Sequence, residues 1–272
     1  MHGVNNFFNE PIMIDQAFLM SVLPQLVLGF KNQSFLSQDE LNAKYHAKVE
    51  HQMSTFSEKG ISQFPVVLNI IGPIIKYSDW YYTGTQTILQ IMKSLETDER
   101  VSGVLLNIDS GGGMGDGTRE LADYIFNMET PTIGYSNGLV CSAAQYLFGA
   151  CKFRAASPHA SWFGSVGTYI PFADYSKIFE KLGALMKDIY APDSSLKNFA
   201  WREMVTNQNE QPFEAMAASF NNQFLNDIKS FYGDTLKDDG KVFKGDLYRP
   251  NEALEIGLVD ELCSIEEALQ KF

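Results

Sequence analysis

The chain has 272 residues, of which 45% are hydrophobic and 13% aromatic, so it can bury a core as one large domain or two small ones. Its formal net charge at pH 7 is -12. This charge argues against broad nucleic-acid binding, which needs a basic face for the phosphates, and fits a soluble cytoplasmic protein.

The three cysteines, Cys141, Cys151 and Cys263, are odd in number and lack paired spacing, which argues against a disulfide framework. Neither CxxC nor HExxH is present, so no metal site is predicted. The most apolar early stretch, 18–30, is too short to span a bilayer and contains a proline. Because no basic region precedes it, we predict neither a secretory signal nor a membrane anchor.

The predicted elements begin with an apolar segment at 1–30 that is helical in part. A polar segment at 31–60 follows, without sustained periodicity, and is typical of a linker or peripheral arm. We therefore predict an N-terminal arm and polar linker at 1–60 and one compact domain at 61–272.

Strand-like and helix-like segments alternate in that domain. Nearly continuous apolar runs predict strands covered on both faces, and apolar spacings of three and four predict helices. The predicted elements in chain order are a strand at 66–75, a helix over 88–95, a strand at 101–108, a helix at 118–127, a strand at 132–135, a helix at 142–150 and a helix over 213–231. This alternation favours an α/β fold with a parallel sheet and crossover helices.

Two strand–helix junctions carry groups capable of chemistry. The first is Asp109-Ser110-Gly111-Gly112-Gly113, directly after a predicted strand. Glycines allow backbone N–H groups to approach a phosphate or the oxyanion of acyl transfer with no Cβ in the way. Neither GxGxxG nor GxxxxGK[ST] is present, which weakens the nucleotide interpretation. A plain tight turn explains this motif equally well.

The second junction is GLVCSAAQY at 138–146. A serine at a helix start, followed by two small residues, is placed to act as a nucleophile near the positive end of the helix dipole. Serine is also a favoured N-cap, so a structural role for Ser142 is the simpler explanation of this segment alone. Cys141 is the more nucleophilic atom type, but small buried cysteines are usually inert, and we rank it behind Ser142.

Together these motifs resemble the signal peptide peptidase A family of serine–lysine proteases, which have the Clp protease/crotonase-like fold. The resemblance covers roughly residues 64–272. Its matching segments are DSGGG at 109–113, CSAAQY at 141–146, FGSVG at 163–167, YSKIFEKLG at 175–183 and EALEIGLVDEL at 252–262. In addition, FNEPIMIDQAFLMSVL at 8–23 is similar to the opening of the family's phage head-maturation (lambda protein C-like) branch.

The resemblance implies a serine endopeptidase with a Ser-Lys dyad that needs no metal or organic cofactor. The residues it implicates are Ser142 as nucleophile, Lys197 as base, Gly112 and Ala143 as oxyanion donors, and Ser165, Gly111 and Gly113 in support. The histidine that Clp proteases use would fall near Ser165 rather than at His159, which leaves lysine as the base. For Lys197 to lose its proton, the neighbouring carboxylates of Asp193 and Glu203 must point away from it.

The resemblance also implies partners. We expect a homo-oligomer that cleaves capsid scaffold or portal-region proteins in the host cytoplasm or within the prohead, with the substrate extended beside a sheet edge. Three alternatives stay open: a crotonase-type acyl-CoA enzyme, a bacterial signal-peptide-peptidase-like protease, and a catalytically silent capsid-assembly component of the same fold.

Overall fold

The centre of the molecule is a five-stranded parallel sheet. The computed structural model describes residues 12–14, 37–79, 81–174, 176–183, 185 and 187–272. In side-by-side order the strands are β10 (Glu261–Leu262), β7 (Phe153–Ala156), β5 (Thr132–Ser136), β3 (Val101–Asp109) and β2 (Phe64–Ile71). Because the strands are parallel, their carboxyl ends lie at one edge of the sheet, where the two sequence junctions follow β3 and β5.

Two smaller sheets lie at that edge. In the first, β6 (Leu139–Cys141) pairs in parallel with β8 (Trp162–Gly164), which pairs antiparallel with β9 (Leu247–Tyr248). In the second, β1 (Ile12–Ile14) pairs antiparallel with β4 (Gly112–Met114). An isolated bridge between Ser110 and Val140 joins the glycine turn to the first of these sheets.

Helices connect the strands and cover the main sheet. They are α1 (Gln38–Glu58), α2 (Thr85–Glu96), α3 (Thr118–Asn127), α4 (Ala143–Gly149), α5 (Ser176–Lys181), α6 (Phe199–Asn207), α7 (Gln211–Tyr232), α8 (Pro250–Ile256) and α9 (Ile265–Leu269). The parallel sheet with crossover helices confirms the predicted α/β class. Within the part of the chain that the structure describes, no helix is long and apolar enough to cross a membrane.

Strand β3 has neighbours on both faces, as its apolar run predicts. Val104, Leu106 and Ile108 belong to the main core, which α2, α3 and α4 also line. Leu105 belongs to a second cluster on the opposite face, with Ile133 and residues of the C-terminal segment. The alternation of side chains along a strand sends successive residues to opposite faces, so a strand between two helical layers must be apolar at nearly every position.

Helix α1 differs from the polar linker that the sequence predicts at 31–60. It begins at a capping box formed by Ser37 and Glu40, and it buries Leu41, Tyr45, Val49 and Met53, which recur every four residues. The sequence does not reveal this narrow stripe because most of the other positions of the segment are polar. Helix α1 packs on the main core, so at least this part of the predicted arm belongs to the compact fold.

A buried ion pair fixes β10 to the rest of the sheet. The guanidinium of Arg154 donates from Nε and Nη2 to the two carboxylate oxygens of Asp260, at 2.8 and 2.9 Å, and stacks over the ring of Tyr232. The carboxylate also accepts the backbone N–H of Arg154. Because the Arg154 side chain is only 8% exposed, removing Asp260 would leave a charge inside the protein without a partner.

Asp260→Ala should lower the free energy of unfolding by about 3 kcal/mol or more, as measured by urea denaturation. The matched control is Glu261→Ala at the adjacent residue. Glu261 forms an ion pair with Lys271 in which the side chain of Glu261 is 44% exposed and that of Lys271 is 34% exposed. That pair should contribute less than about 1 kcal/mol. Equal losses of unfolding free energy in the two variants would show that the buried Arg154–Asp260 pair stabilises the fold no more than the exposed pair.

Candidate active site

The glycine turn and the serine junction are joined by Asp109. Its carboxylate accepts the backbone N–H of Leu139 at 2.9 Å. A Cβ at Gly138 would lie 2.3 Å from the same carboxylate oxygen, so a side chain at this position would displace the carboxylate. The carbonyl of Leu139 then accepts the N–H of Ser110 at 2.7 Å, and the N–H of Cys141 donates to the carbonyl of Ser110 at 3.1 Å. The two loops therefore form one rigid unit.

The three glycines of the turn are buried, and their roles differ. Gly112 has a φ of 102°, which a residue with a side chain rarely adopts. A Cβ at Gly113 would lie 2.0 Å from the carbonyl oxygen of Ile74, which accepts the N–H of Met114 at 2.9 Å. Gly111 bridges β3 and β4. Two positions of the turn therefore require glycine: Gly112 because of its positive φ, and Gly113 because the carbonyl of Ile74 leaves no room for a Cβ.

Ser142 occupies the N-cap position of α4 without acting as a cap. Its side chain makes no capping hydrogen bond, and its backbone has φ 58° and ψ −117°. The N–H of Ser142 donates to the carbonyl of Gly164 at 2.9 Å, and its carbonyl accepts the N–H of Tyr146 at 3.0 Å. A positive φ on a side-chain-bearing residue costs energy and is concentrated at functional sites. The simple N-cap explanation of Ser142 is therefore wrong.

The backbone N–H groups of the two predicted oxyanion donors differ in whether they are already hydrogen-bonded. Ala143 begins α4, where backbone N–H groups have no acceptor within the helix. Gly112 donates its N–H to the hydroxyl of Ser110 at 3.1 Å. An oxyanion would therefore have to compete with the Ser110 hydroxyl for the N–H of Gly112.

A buried hydrogen-bond chain holds α4 in place, and the sequence reasoning missed it. Gln145 accepts the N–H of Gly164 at 3.1 Å through Oε1 and donates to the Tyr232 hydroxyl at 2.6 Å through Nε2. The Tyr232 hydroxyl donates in turn to the carbonyl of Leu258 at 3.1 Å. Burial raises the pKa of Tyr232, so its hydroxyl keeps its proton as the chain requires. The sequence offered one indication of this chain, since Gln145 is a lone glutamine in an otherwise apolar helix.

Ser165 lies one residue beyond the carbonyl that binds Ser142. It has a φ of 51°, and its N–H donates to the carbonyl of Asp246 at 2.8 Å. Cys141 is fully buried and directs its sulfur toward the carbonyl of Trp162, at 3.9 Å. Of the histidines in the described ranges, none makes a hydrogen bond to Ser142. His159 is exposed on the loop before β8.

Lys197 lies on an exposed turn just before α6, where its backbone N–H donates to the carbonyl of Ser194 at 3.1 Å. Among the residues that the structure describes, no hydrogen bond or ion pair involves its amine, and none links it to Ser142. The carboxylate of Glu203 is engaged by the side-chain amides of Asn207 and Asn209, at 3.0 and 2.9 Å. The structure thus brings Ser142, Gly112, Ala143 and the neighbours of Ser165 together but leaves Lys197 apart.

Comparison with known proteins decides the family. The sequence pattern of peptidase family S49 matches residues 125–272. The chain belongs to peptidase family S49. Similar S49 relatives include the capsid assembly protease C of Escherichia phage lambda, 25% identical over 98% of this chain and 64% of that protein. Another is the putative signal peptide peptidase SppA of Enterococcus faecium, 26% identical over 92% of this chain and 75% of that protein.

These S49 relatives confirm the resemblance drawn from the motifs, including its phage head-maturation branch. The chain spans less than two thirds of the length of the lambda protein, at 64%. Among solved structures, a point mutant of ClpP1 from Listeria monocytogenes is 15% identical and covers 79% of this chain and 99% of its own, with a TM-score of 0.48.

Proposed function

We propose that this S49 chain is a serine endopeptidase in which Ser142 is the nucleophile and Lys197 the base. The observation that carries the proposal is the backbone of Ser142, held at positive φ with a hydroxyl that the helix does not use. Strain of this kind at a strand-to-helix turn is typical of a nucleophile held at the start of a helix. Ser142 is buried, so we propose that its hydroxyl becomes accessible when substrate binds. The surrounding hydrogen bonds to Gly164 and through Gln145 keep that geometry in place.

The chemistry follows from this arrangement. Ser142 passes its proton to the neutral amine of Lys197 and attacks the peptide carbonyl, while the N–H groups of Gly112 and Ala143 stabilise the oxyanion. The lysine then protonates the departing amine, and a water molecule releases the acyl group by the same route. No metal or organic cofactor takes part in any of these steps.

The proposal requires the amine of Lys197 to reach Ser142 when substrate or a second subunit is bound. The chain around it is suited to rearrangement, because several of its apolar side chains are almost fully exposed, among them Leu185, Ile189 and Leu196. Exposed apolar side chains in one stretch are typical of a surface that a partner covers. This supports an active homo-oligomer in which the segment carrying Lys197 is ordered against the site.

The similarity to capsid assembly protease C supports a role in phage capsid assembly. Within that role we propose scaffold or portal-region proteins as the substrates. The test is to co-express the chain with the structural proteins encoded beside it and to map new termini by mass spectrometry. We expect defined cleavages that disappear in Ser142→Ala and persist in Ser161→Ala. Ser161 is exposed, and its hydroxyl makes no hydrogen bond within the described residues, although its backbone N–H bonds to Gly138. Identical patterns with and without the Ser142 hydroxyl would contradict the proposal.

A catalytically silent capsid-assembly component of the same fold is the second candidate. Two observations favour it. Within the described ranges the amine of Lys197 makes no hydrogen bond to Ser142, and the N–H of Gly112 is already bonded to the hydroxyl of Ser110. Casein hydrolysis by the purified full chain separates the two candidates. The silent component would assemble without cleaving casein, whereas the peptidase would cleave it in a Ser142-dependent manner.

A further inference from the structure

Strand β4 contains Gly112 and Gly113 of the glycine turn, and one of its two sides is bonded to Ile74. On one side, the carbonyl of Gly112 accepts the N–H of Ile74 and the N–H of Met114 donates to the carbonyl of Ile74, both at 2.9 Å. Backbone groups of successive residues in a strand point to opposite sides. The N–H and carbonyl of Gly113 therefore face away from Ile74, toward the open side of the strand.

Strand β1 occupies that open side. The register places Met13 opposite Gly113, with Ile14 opposite Gly112 and Ile12 opposite Met114. Because Gly113 presents its N–H and carbonyl to this side, Met13 is the residue of β1 that exchanges backbone hydrogen bonds with it. The N–H groups of Ile12 and Ile14 point away from β4.

The direction of β1 matches that of a substrate. The pairing is antiparallel, so the carboxyl end of β1, at Ile14, lies at Gly112, which is the end of β4 nearest to Ser110. The bridge from Ser110 to Val140 holds this turn beside the strand that leads into Ser142. A substrate whose residues before the scissile bond lie along β4 would run in the same direction as β1. It would bond to the same N–H and carbonyl of Gly113.

We infer that Ile12–Ile14 is an internal competitor that occupies the peptide-binding edge of the site and keeps substrate out until it is displaced. The inference rests on the proposed function, since it assigns a regulatory role to the same site. It makes the N-terminal segment a strand that must leave β4 before a substrate strand can pair there. Full activity is therefore expected only after this exchange.

The test is a pair of proline variants in the full-length chain. Met13→Pro removes the N–H that bonds to Gly113, whereas Ile12→Pro, one residue away, removes an N–H that points away from β4 and is the matched control. Two quantities are measured: hydrogen exchange of the peptide that contains Gly113, and Ser142-dependent hydrolysis of casein, with Ser142→Ala as the blank. In Met13→Pro both rates should rise about tenfold, and in Ile12→Pro both should stay within about twofold of wild type.

The two measurements separate the ways in which the inference could fail. Unchanged exchange at Gly113 in Met13→Pro would show that β1 does not hold this edge. Faster exchange with unchanged Ser142-dependent hydrolysis would show that β1 pairs there without excluding substrate. Hydrolysis no greater than that of Ser142→Ala in every variant would overturn the proposed peptidase function and the competitor role with it.

Discussion

Ser142→Ala is expected to reduce kcat/KM for casein or a peptide substrate by at least about 10³-fold. The reason is that alanine removes the oxygen that forms the acyl-enzyme. The adjacent thiol of Cys141 is fully buried and directed toward the carbonyl of Trp162. Alanine keeps the Cβ, so the strained backbone at φ 58° is unchanged and thermal unfolding should match that of the wild type. The measurement is steady-state hydrolysis together with a thermal melt of the same preparation.

Two variants complete this test. Ser161→Ala makes the same change at an exposed serine and should retain wild-type rates. Ser142→Gly removes the hydroxyl and also relieves the positive φ, so it should be inactive and at least as stable as the wild type. Retention of more than a tenth of the activity in Ser142→Ala would show that another residue is the nucleophile.

Lys197→Ala should reduce kcat by about 10²–10⁴-fold, the range typical of losing a general acid–base group. Because the chemistry needs a neutral amine, Lys197→Arg should not restore activity, since a guanidinium stays protonated. Added ethylamine should raise the rate of Lys197→Ala in a concentration-dependent manner by supplying the missing base. The measurement is kcat for each variant across a series of amine concentrations.

The matched control is Lys187→Ala, which removes an exposed lysine from the same segment. Its kcat should stay within about twofold of wild type, as is usual for surface substitutions. If Lys197→Ala and Lys187→Ala behave alike, the base is a different group, and the family pattern was carried to the wrong lysine.

The parallel sheet was predictable because its strands carry nearly unbroken apolar runs. The strand predicted at 101–108 is Val101–Asp109 in the structure, one residue longer, and the helix predicted at 118–127 is Thr118–Asn127. Helix α1 was missed, since a stripe of one apolar residue in four among polar neighbours resembles a linker. The short strands β1, β4, β6 and β8 were missed because three residues give no periodicity, and tertiary pairing alone makes them strands.

The site was predictable where chemistry and backbone geometry coincide in one segment. Ser142 and the glycine turn fall in short motifs, and the structure joins them through Asp109. The chain from Gln145 to Tyr232 could not be predicted, because its members are 87 positions apart and only the fold brings them together. Lys197 stays a prediction, since its position relative to Ser142 depends on an exposed segment.

In the proposed mechanism the hydroxyl of Ser142 forms the acyl-enzyme. The most direct measurement is to incubate the full-length chain with a p-nitrophenyl ester of a short apolar peptide, quench it in acid and locate the acyl group by tandem mass spectrometry. We expect one acyl group on Ser142 in the wild type and in Ser161→Ala, and none in Ser142→Ala. An acyl group on the adjacent Cys141 or on Ser110, or no acyl group on the wild type or either variant, would contradict this role of Ser142.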